Sequence, residues 1–420
     1  MKKDRKEILV YADWQSIIGA RLMGVLYSEV IRGKEIFSFQ YSDEWLNADF
    51  AQVLDPDLRL YQGKQYLNEG KDNFGIFLDS SPDRWGRLLM RRREAVLARI
   101  EKRTQNILYE SDYLLGVFDE HRSGAIRFKT NADGAFLNDN KDLATPPFTT
   151  IKKLEQASLR IEQDELINDP EYIKWLNLLI AQGSSLGGAR PKASVIDEKG
   201  NLWIAKFPSI NDEKNIGAWE MVVHDLAIKS GIDVAQAMTK KYSSKHHTFL
   251  TKRFDRNKKR RIHFASAMTL LGYKDGSDYS QGVSYLELAE FIAVNGARVN
   301  EDLEELWKRI VFNICVSNTD DYLRNHGFIL TDKGWILSPA YDVNPNEKGT
   351  ELNLNISEND NSLELDLAME VIEYFRLSEK KALKIISLIK KTVANWKEVA
   401  NKYQISKTEQ EDMQTAFIAK

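Results

Sequence analysis

The sequence predicts an α+β fold. An α/β N-terminal domain precedes a two-lobed domain with a small mixed β lobe and a larger helical lobe. Three observations carry this reading. The first 45 residues hold short runs of partly alternating apolar and aromatic residues, the pattern of half-buried strands. The character of the chain changes near Gly183, where a glycine-rich loop opens a strand–turn–strand–helix series. Beyond Asp255 the pattern becomes mostly helical. The expected divisions are 1–182 for the first domain and 183–420 for the second, with lobes at 183–255 and 256–420.

The bulk composition allows this. The 420 residues are 43% hydrophobic, enough for two domains with substantial cores. A net charge of −3 with 29% charged residues argues against a dedicated nucleic-acid binder, though not against a local basic patch. The single cysteine, Cys315, rules out a disulfide within the chain and fits a reducing cytoplasm. It lies in an apolar run and reads as core packing. The basic start is not followed by the apolar stretch of about 7–15 residues that a signal peptide carries. No run of about 18 apolar residues suggests a membrane span, so a cytoplasmic protein with no membrane partner is expected. Six histidines and one cysteine leave little for a zinc site. His246 and His247 are adjacent on an expected strand, so their side chains point to opposite faces.

In chain order, strands are expected over 22–28 and 35–41, joined by a turn at Arg32, Gly33 and Lys34. Ser81, Pro82 and Asp83 signal a helix start, and Trp85, Leu88, Leu89, Leu97 and Ile100 give its apolar stripe. Its many arginines read most simply as a solvated face. A helix-to-strand passage over 113–128 and a loop over 130–148 follow, then helices near 150–163 and 170–182. Past the glycine loop, a strand and turn lead to the strand over 202–207, a helix over about 216–230, and strands near 234–242 and 247–254. Residues 256–261 form a basic turn. Amphipathic helices are expected over 285–294 and 303–316. After a hairpin near Gly334, helices near 363–376, 378–392 and 406–418 close the chain.

The chemistry concentrates in 318–342. Asp320 is followed five residues on by Asn325, and Asp342 lies 17 residues further, past the hairpin. Asp-x4-Asn is the spacing of a kinase catalytic loop, where a carboxylate orients the attacking hydroxyl while an Asn and another carboxylate hold magnesium. Hard Mg²⁺ takes such oxygen donors and completes its shell with water and phosphates. Taken alone the pair is weak, because Asp and Asn also cap helices and make turns. Context strengthens it, since the pair directly follows a helix and an upstream set stands in kinase order. Gly187, Gly188 and Ala189 permit close backbone approach to phosphates, although taken alone a tight turn before a strand explains them better. The loop is neither a Walker motif nor G-x-G-x-x-G. Lys206, between Ala205 and Phe207, stands where a phosphate-binding lysine belongs, or is an ordinary strand-edge lysine. Glu220 on the next helix could hold it, as could any helix carboxylate.

At these residues the sequence resembles the HipA family of bacterial serine/threonine kinases, the toxin halves of HipA–HipB toxin–antitoxin modules. The resemblance runs through 80–90, 184–192, 204–208, 252–256, 318–327 and 340–343. It implies a protein-kinase-like fold for the second domain, with ATP and Mg²⁺ as cofactors. Position by position it implies Asp320 as catalytic base and Asn325 and Asp342 as magnesium ligands. Lys206 would be the phosphate-binding lysine. Gly187, Gly188, Ala189, Arg190 and Lys192 would form the ATP loop, with Lys252 and Phe254 beside the adenine. Tyr322, Arg324 and Tyr341 would flank the nucleotide. Ser185, with Ser184 as the alternative, would be the autophosphorylated loop serine, where phosphate adds roughly two negative charges beside ATP and stops catalysis. The implied partners are a helix-turn-helix, HipB-like antitoxin and, through it, operator DNA. The implied substrate is an aminoacyl-tRNA synthetase or another translation factor. Tyr322 stands where well-known members have His, and Lys252 replaces an acidic hinge residue. A small-molecule kinase on a related fold and a catalytically silent corepressor remain the alternative readings.

Overall fold

Alternation of inward apolar and outward polar residues builds the first sheet of the chain. In the computed structural model, strands β1 (Arg5–Ala12), β2 (Arg21–Ile31), β3 (Lys34–Tyr41), β4 (Lys64–Tyr66) and β5 (Ile126–Lys129) form one antiparallel sheet in the order β4-β3-β2-β1-β5. The structure describes residues 5–68, 70–140, 145–163, 171–180, 188 and 190–417. Ile8, Val10 and Ala12 of β1, Leu26 of β2 and Phe39 of β3 are fully buried. Phe39 and Phe128 both pack on Phe77, with ring centroids 5.6 and 5.9 Å away. The expected turn is present, with Arg32 and Gly33 both at positive φ.

The helix Arg84–Ile100 starts where the sequence signals it. Asp83 is the cap, its Oδ1 accepting from Gly86 N at 2.8 Å. Its arginine face is less solvated than expected. Arg87 makes a two-pronged pair with Glu110 and lies over the Tyr113 ring, and Arg92 reaches the Ile161 carbonyl. Helices Ile151–Glu162 and Tyr172–Ile180 follow as expected. The strands Lys192–Ile196 and Leu202–Lys206 form a hairpin. Its turn is set by Asp197, which accepts from Lys199 N, Asn201 N and Trp203 Nε1. The basic stretch is a second, short hairpin of Arg256–Asn257 against Arg260–Arg261.

Packing groups the chain into two units. One is Met1–Ile210 with Asp255–Ala265, the other Asn211–Phe254 with Ser266–Lys420. The linear division at residue 182 is a statement about sequence domains, and these units are drawn differently. The second unit contains the helix Ile216–Lys229, the hairpin Ala237–Lys240/Thr248–Lys252, the helices Tyr285–Asn295 and Val299–Val316, and the hairpin Gly327–Thr331/Gly334–Leu337. Helices Leu365–Glu370, Glu379–Val393, Trp396–Lys402 and Lys407–Met413 close it.

The helix Val299–Val316 is the core of the second unit. Every residue from Arg309 to Val316 is buried. Cys315 is among them, and burial pushes its thiol up to about 12, so it is inert packing. Trp396 begins a helix that the sequence reading passed over. It stacks on Phe417 at 4.7 Å and lies 5.9 Å from Trp219. His246 and His247 sit in the turn before Thr248, not on the strand as expected. Burial, then Lys241 and His246, lowers His247 to about 4, and its Nδ1 faces the Asn215 amide nitrogen at 2.8 Å. Among the described residues no helix is long and apolar enough to cross a membrane.

Candidate functional site

The helix Val299–Val316 ends because Ser317 turns into the left-handed region, φ 47°. The chain then runs through Asn318, Thr319 and Asp320 into a short 3-10 turn, Leu323–Asn325, and from there into the hairpin that delivers Asp342. Asp320 is exposed, whereas its neighbour Asp321 is 3% exposed. Of the two adjacent carboxylates, Asp320 is therefore the one able to meet a hydroxyl arriving from solvent. Asn325 donates its Nδ2 to the Asp320 carbonyl at 2.8 Å. That bond sets the short turn and leaves the Asn325 amide oxygen to act as a hard ligand of the kind Mg²⁺ prefers.

The hairpin end is held from behind. Ala340 N donates to Asp233 O at 2.8 Å, and Arg309 reaches the Ser338 carbonyl at 2.8 Å. Tyr341 donates its hydroxyl to the Arg324 carbonyl at 2.8 Å, and Phe254 lies 5.7 Å from the Tyr341 ring. Asp342 is a non-glycine residue at φ 58°. Such a conformation persists only where the surroundings impose it, and it is common at functional sites.

Three more bonds lace the two functional loops together. Asn344 N donates to Asn318 Oδ1 at 3.1 Å, Asn346 N to Ser317 O at 3.1 Å, and Asn346 Nδ2 to Thr319 Oγ1 at 2.7 Å. Asn344 Nδ2 also reaches Asp342 Oδ1 at 3.3 Å. Below them Asp321 Oδ2 accepts from Tyr285 Oη at 2.5 Å, Asn313 Nδ2 at 2.8 Å and His326 Nε2 at 2.8 Å. Burial and then the Asp321 carboxylate hold the Tyr285 hydroxyl far above its usual range, so it stays a donor. Sequence reasoning missed Asp321, Asn313, Asn318, Asn344, Tyr285 and His326. The one available signal was the Asp320–Asp321 doublet.

Among the described residues no group of three or more His, Cys, Asp or Glu side chains could hold a metal alone. Mg²⁺ bound through one or two protein oxygens and substrate phosphates needs no such cluster. Asn325 and Asp342 supply an amide oxygen and a carboxylate, a donor set that fits. At the other end of the unit's candidate residues, Lys252 donates its N–H to Gln236 O at 2.8 Å. Its role toward a base would fall to its carbonyl. Tyr322 begins the short 3-10 turn, and Arg324 pairs with Asp275 at 3.4 Å.

The remaining candidates lie in the first unit. Ser184, Ser185, Gly187 and Ala189 fall outside the described residues. Gly188 sits at φ 92°, and Arg190 is half-buried. Lys192 and Lys206 stand directly opposite each other in the hairpin. Like charges opposite one another in a ladder repel, and here a carboxylate lies against one of them. Lys192 Nζ meets Asp83 Oδ2 at 2.8 Å, with both side chains at most 2% exposed. Lys206 is 9% exposed. The Asp83 partner was invisible in the sequence, 109 residues from Lys192.

The HipA-like C-terminal domain family matches residues 184–396, half of the chain. A candidate kinase of Haemophilus influenzae is 27% identical over 181 residues, which are 38% of this chain and 52% of that protein. The chain thus spans about half the length of the curated relative it matches. The HipA of Shewanella oneidensis, solved as a toxin–antitoxin complex with HipB and operator DNA, superposes with a TM-score of 0.64 at 17% identity. That superposition covers 98% of this chain and 95% of that one, and it shows a shared α+β fold. The Helicobacter pylori kinase CtkA is 13% identical and covers 50% of this chain at a TM-score of 0.34, too partial a likeness to argue from. With half of its length inside the family's domain and its whole length in the fold of a solved HipA, this chain belongs to the HipA-like family.

Proposed function

We propose that this protein is an ATP- and Mg²⁺-dependent protein serine/threonine kinase that acts as a growth-inhibiting toxin in the cytoplasm. The observation that carries the reading is the second unit's triad: an exposed Asp320, an Asn325 whose amide oxygen is unspent, and an Asp342 held at positive φ, cross-linked into one loop pair. In this reading Asn325 and Asp342 hold Mg²⁺, and Lys206 with Gly187, Gly188, Ala189, Arg190 and Lys192 holds the triphosphate. Lys252 and Phe254 flank the adenine, with Tyr322, Arg324 and Tyr341 around it. Held there, Mg²⁺ would supply positive charge against the negative charge that develops on transfer. Asp320 orients the acceptor hydroxyl and takes its proton as the new bond from oxygen to the γ-phosphorus forms and the bond to the β-phosphate oxygen breaks.

Regulation follows the same chemistry. Phosphate on Ser185, or on Ser184, adds negative charge beside the ATP phosphates and switches the enzyme off. The Shewanella HipA was solved with HipB and operator DNA. We carry that over as a helix-turn-helix antitoxin that binds this chain and takes it to its operator, with an aminoacyl-tRNA synthetase or another translation factor as substrate.

The test is incubation of the full chain with Mg²⁺–ATP, followed by mass spectrometry of intact protein and of peptides spanning Ser184 and Ser185. One added phosphate on that peptide is expected. Phosphate found only on a metabolite would turn the assignment to a small-molecule kinase. Nucleotide binding without any transfer would turn it to a silent corepressor.

A further inference from the structure

The buried side chains behind the catalytic loop form one directional chain. Asp321 can only accept, so it takes the Nδ2 of Asn313 at 2.8 Å. That turns the Asn313 oxygen toward Asn318, whose Nδ2 donates to it at 3.0 Å. The Asn318 oxygen is in turn left facing the main-chain N–H of Asn344, 3.1 Å away. Asn344 lies two residues beyond Asp342, and Asn318 two residues before Asp320. Asp321, Asn313 and Asn318 are all at most 3% exposed, so water does not offer them alternative partners.

We infer that Asp321 is a positioning residue whose fixed acceptor character orients the Asn313 and Asn318 amides and thereby clamps the Asp342 loop to the Asp320 loop. An amide can flip end for end at little cost in shape, and a carboxylate cannot. One anion at the base of the relay therefore removes the flip at every later link. With Asn318 reversed, its amino group would face the Asn344 N–H and the clamp would open. The inference rests on the kinase reading for its consequence, the placement of the Mg²⁺ donor Asp342, but the relay itself exists without it. Tyr285 and His326 complete the anion's hydrogen bonds.

Isosteric reversal of the relay tests this. In Asn318→Asp an acceptor faces the Asn313 oxygen, and if Asn313 flips its oxygen meets Asp321 instead. Two acceptors clash in either arrangement. In Asn318→Asp with Asp321→Asn the order is consistent again, running in the opposite direction from residue 321 to residue 318. The amino group of residue 321 then has two hydrogens, for the Asn313 oxygen and His326 Nε2, and the Tyr285 hydroxyl can turn to donate to the Asn313 oxygen, which takes the place of the Nδ2 now 3.4 Å from it. His326 can take its other tautomer, putting the proton on Nδ1, which has no partner in the native arrangement.

The readout is the Mg²⁺ concentration needed for half-maximal binding of a fluorescent ATP analogue. Asn318→Asp is expected to raise it about tenfold, the usual size of an outer-shell effect. The double variant is expected to return to within about threefold of the native protein, a large coupling between residues of one hydrogen-bond network. A double variant as poor as the single one, or an unaffected single variant, overturns the inference. Amide hydrogen exchange on the native protein needs no variant. The Asn344 N–H is expected to be protected, and exchange at the rate of an open loop overturns the clamp. Both readouts are separate from transfer. A protein that shows the protected amide and the coupled variants but moves no phosphate would sink the kinase reading and leave the relay standing.

Discussion

Two buried acidic clusters, one in each unit, handle negative charge differently. In the first unit's cluster, the buried carboxylates sit against cations. Asp83 meets Lys192, and Asp119 meets Arg261 and Arg127. Burial works to raise the Asp119 carboxyl, but Arg261, Arg127 and Arg122 outweigh it and leave the group below its ordinary range. In the second unit, Asp321 is met by a tyrosine hydroxyl, an asparagine amide and a histidine nitrogen. An ion pair neutralises its own field and ends there. An anion held by directional hydrogen-bond donors imposes a polarity on whatever those donors touch next. The first arrangement suits a scaffold, and the second can transmit orientation to a loop.

The contrast makes its largest claim about Asp320. This carboxylate is exposed and holds up no core, so Asp320→Ala should cut phosphoryl transfer roughly 10³-fold. Stability should change by no more than about 0.5 kcal/mol. Single-turnover transfer measured beside a urea melt checks both halves. Retained transfer would remove Asp320 from the chemistry, and a collapsed melt would mean that the loop is structural.

The opposite behaviour is expected in the first unit. Lys192→Met takes the Lys192 ammonium away from the buried Asp83 carboxylate, and breaking such a pair costs about 3–5 kcal/mol. Asp83 also caps the helix Arg84–Ile100, so the clean partner change is Asp83→Asn, which keeps an oxygen for Gly86 N. The double variant should be more stable than Lys192→Met alone, because the carboxylate that lost the Lys192 ammonium is removed with it. Urea midpoints of the three variants decide it. If Lys192→Met is as stable as the native protein, the pair is not holding the unit and the contrast fails.

These expectations divide along the line of what sequence could reveal. Spacing within one segment was legible. The Asp320–Asn325 interval and the helix start near Ser81, Pro82 and Asp83 both lie within a few residues of what they organise. Most strand and helix positions were legible for the same reason, but the strand Arg5–Ala12 was not singled out, and His246 and His247 precede their strand rather than lie on it. The two-residue break at Ala394 and Asn395 hid the helix Trp396–Lys402, whose anchor is the distant Phe417. What was not legible depends on pairing across the fold. Nothing near Lys192 points to Asp83, and nothing near Asn318 points to Asn344. The doublet at 320 and 321 shows the limit most clearly. Two identical side chains, adjacent in sequence, acquire different roles because one turns outward and the other into a nest of donors.

The smallest expected effect concerns Asp342. At φ 58° an L-residue carries roughly 1–2 kcal/mol of backbone strain, somewhat relieved for Asp because its short side chain can bond locally, here to Asn344 Nδ2. Glycine removes the strain but gives the unfolded chain more freedom, which returns about 0.5–1 kcal/mol. Asp342→Gly should therefore match or exceed the native protein by about 0.5 kcal/mol, while losing a magnesium donor and with it the transfer. Asp342→Ala keeps the strain, lacks the local bond, and should be the least stable of the three. Urea melts in the absence of nucleotide and metal isolate the backbone effect from any ligand. The order glycine, native, alanine would place the strain at this one residue, tolerated for chemistry. An alanine variant more stable than the glycine one would mean that the backbone at 342 is relaxed, and that its left-handed turn carries no functional cost.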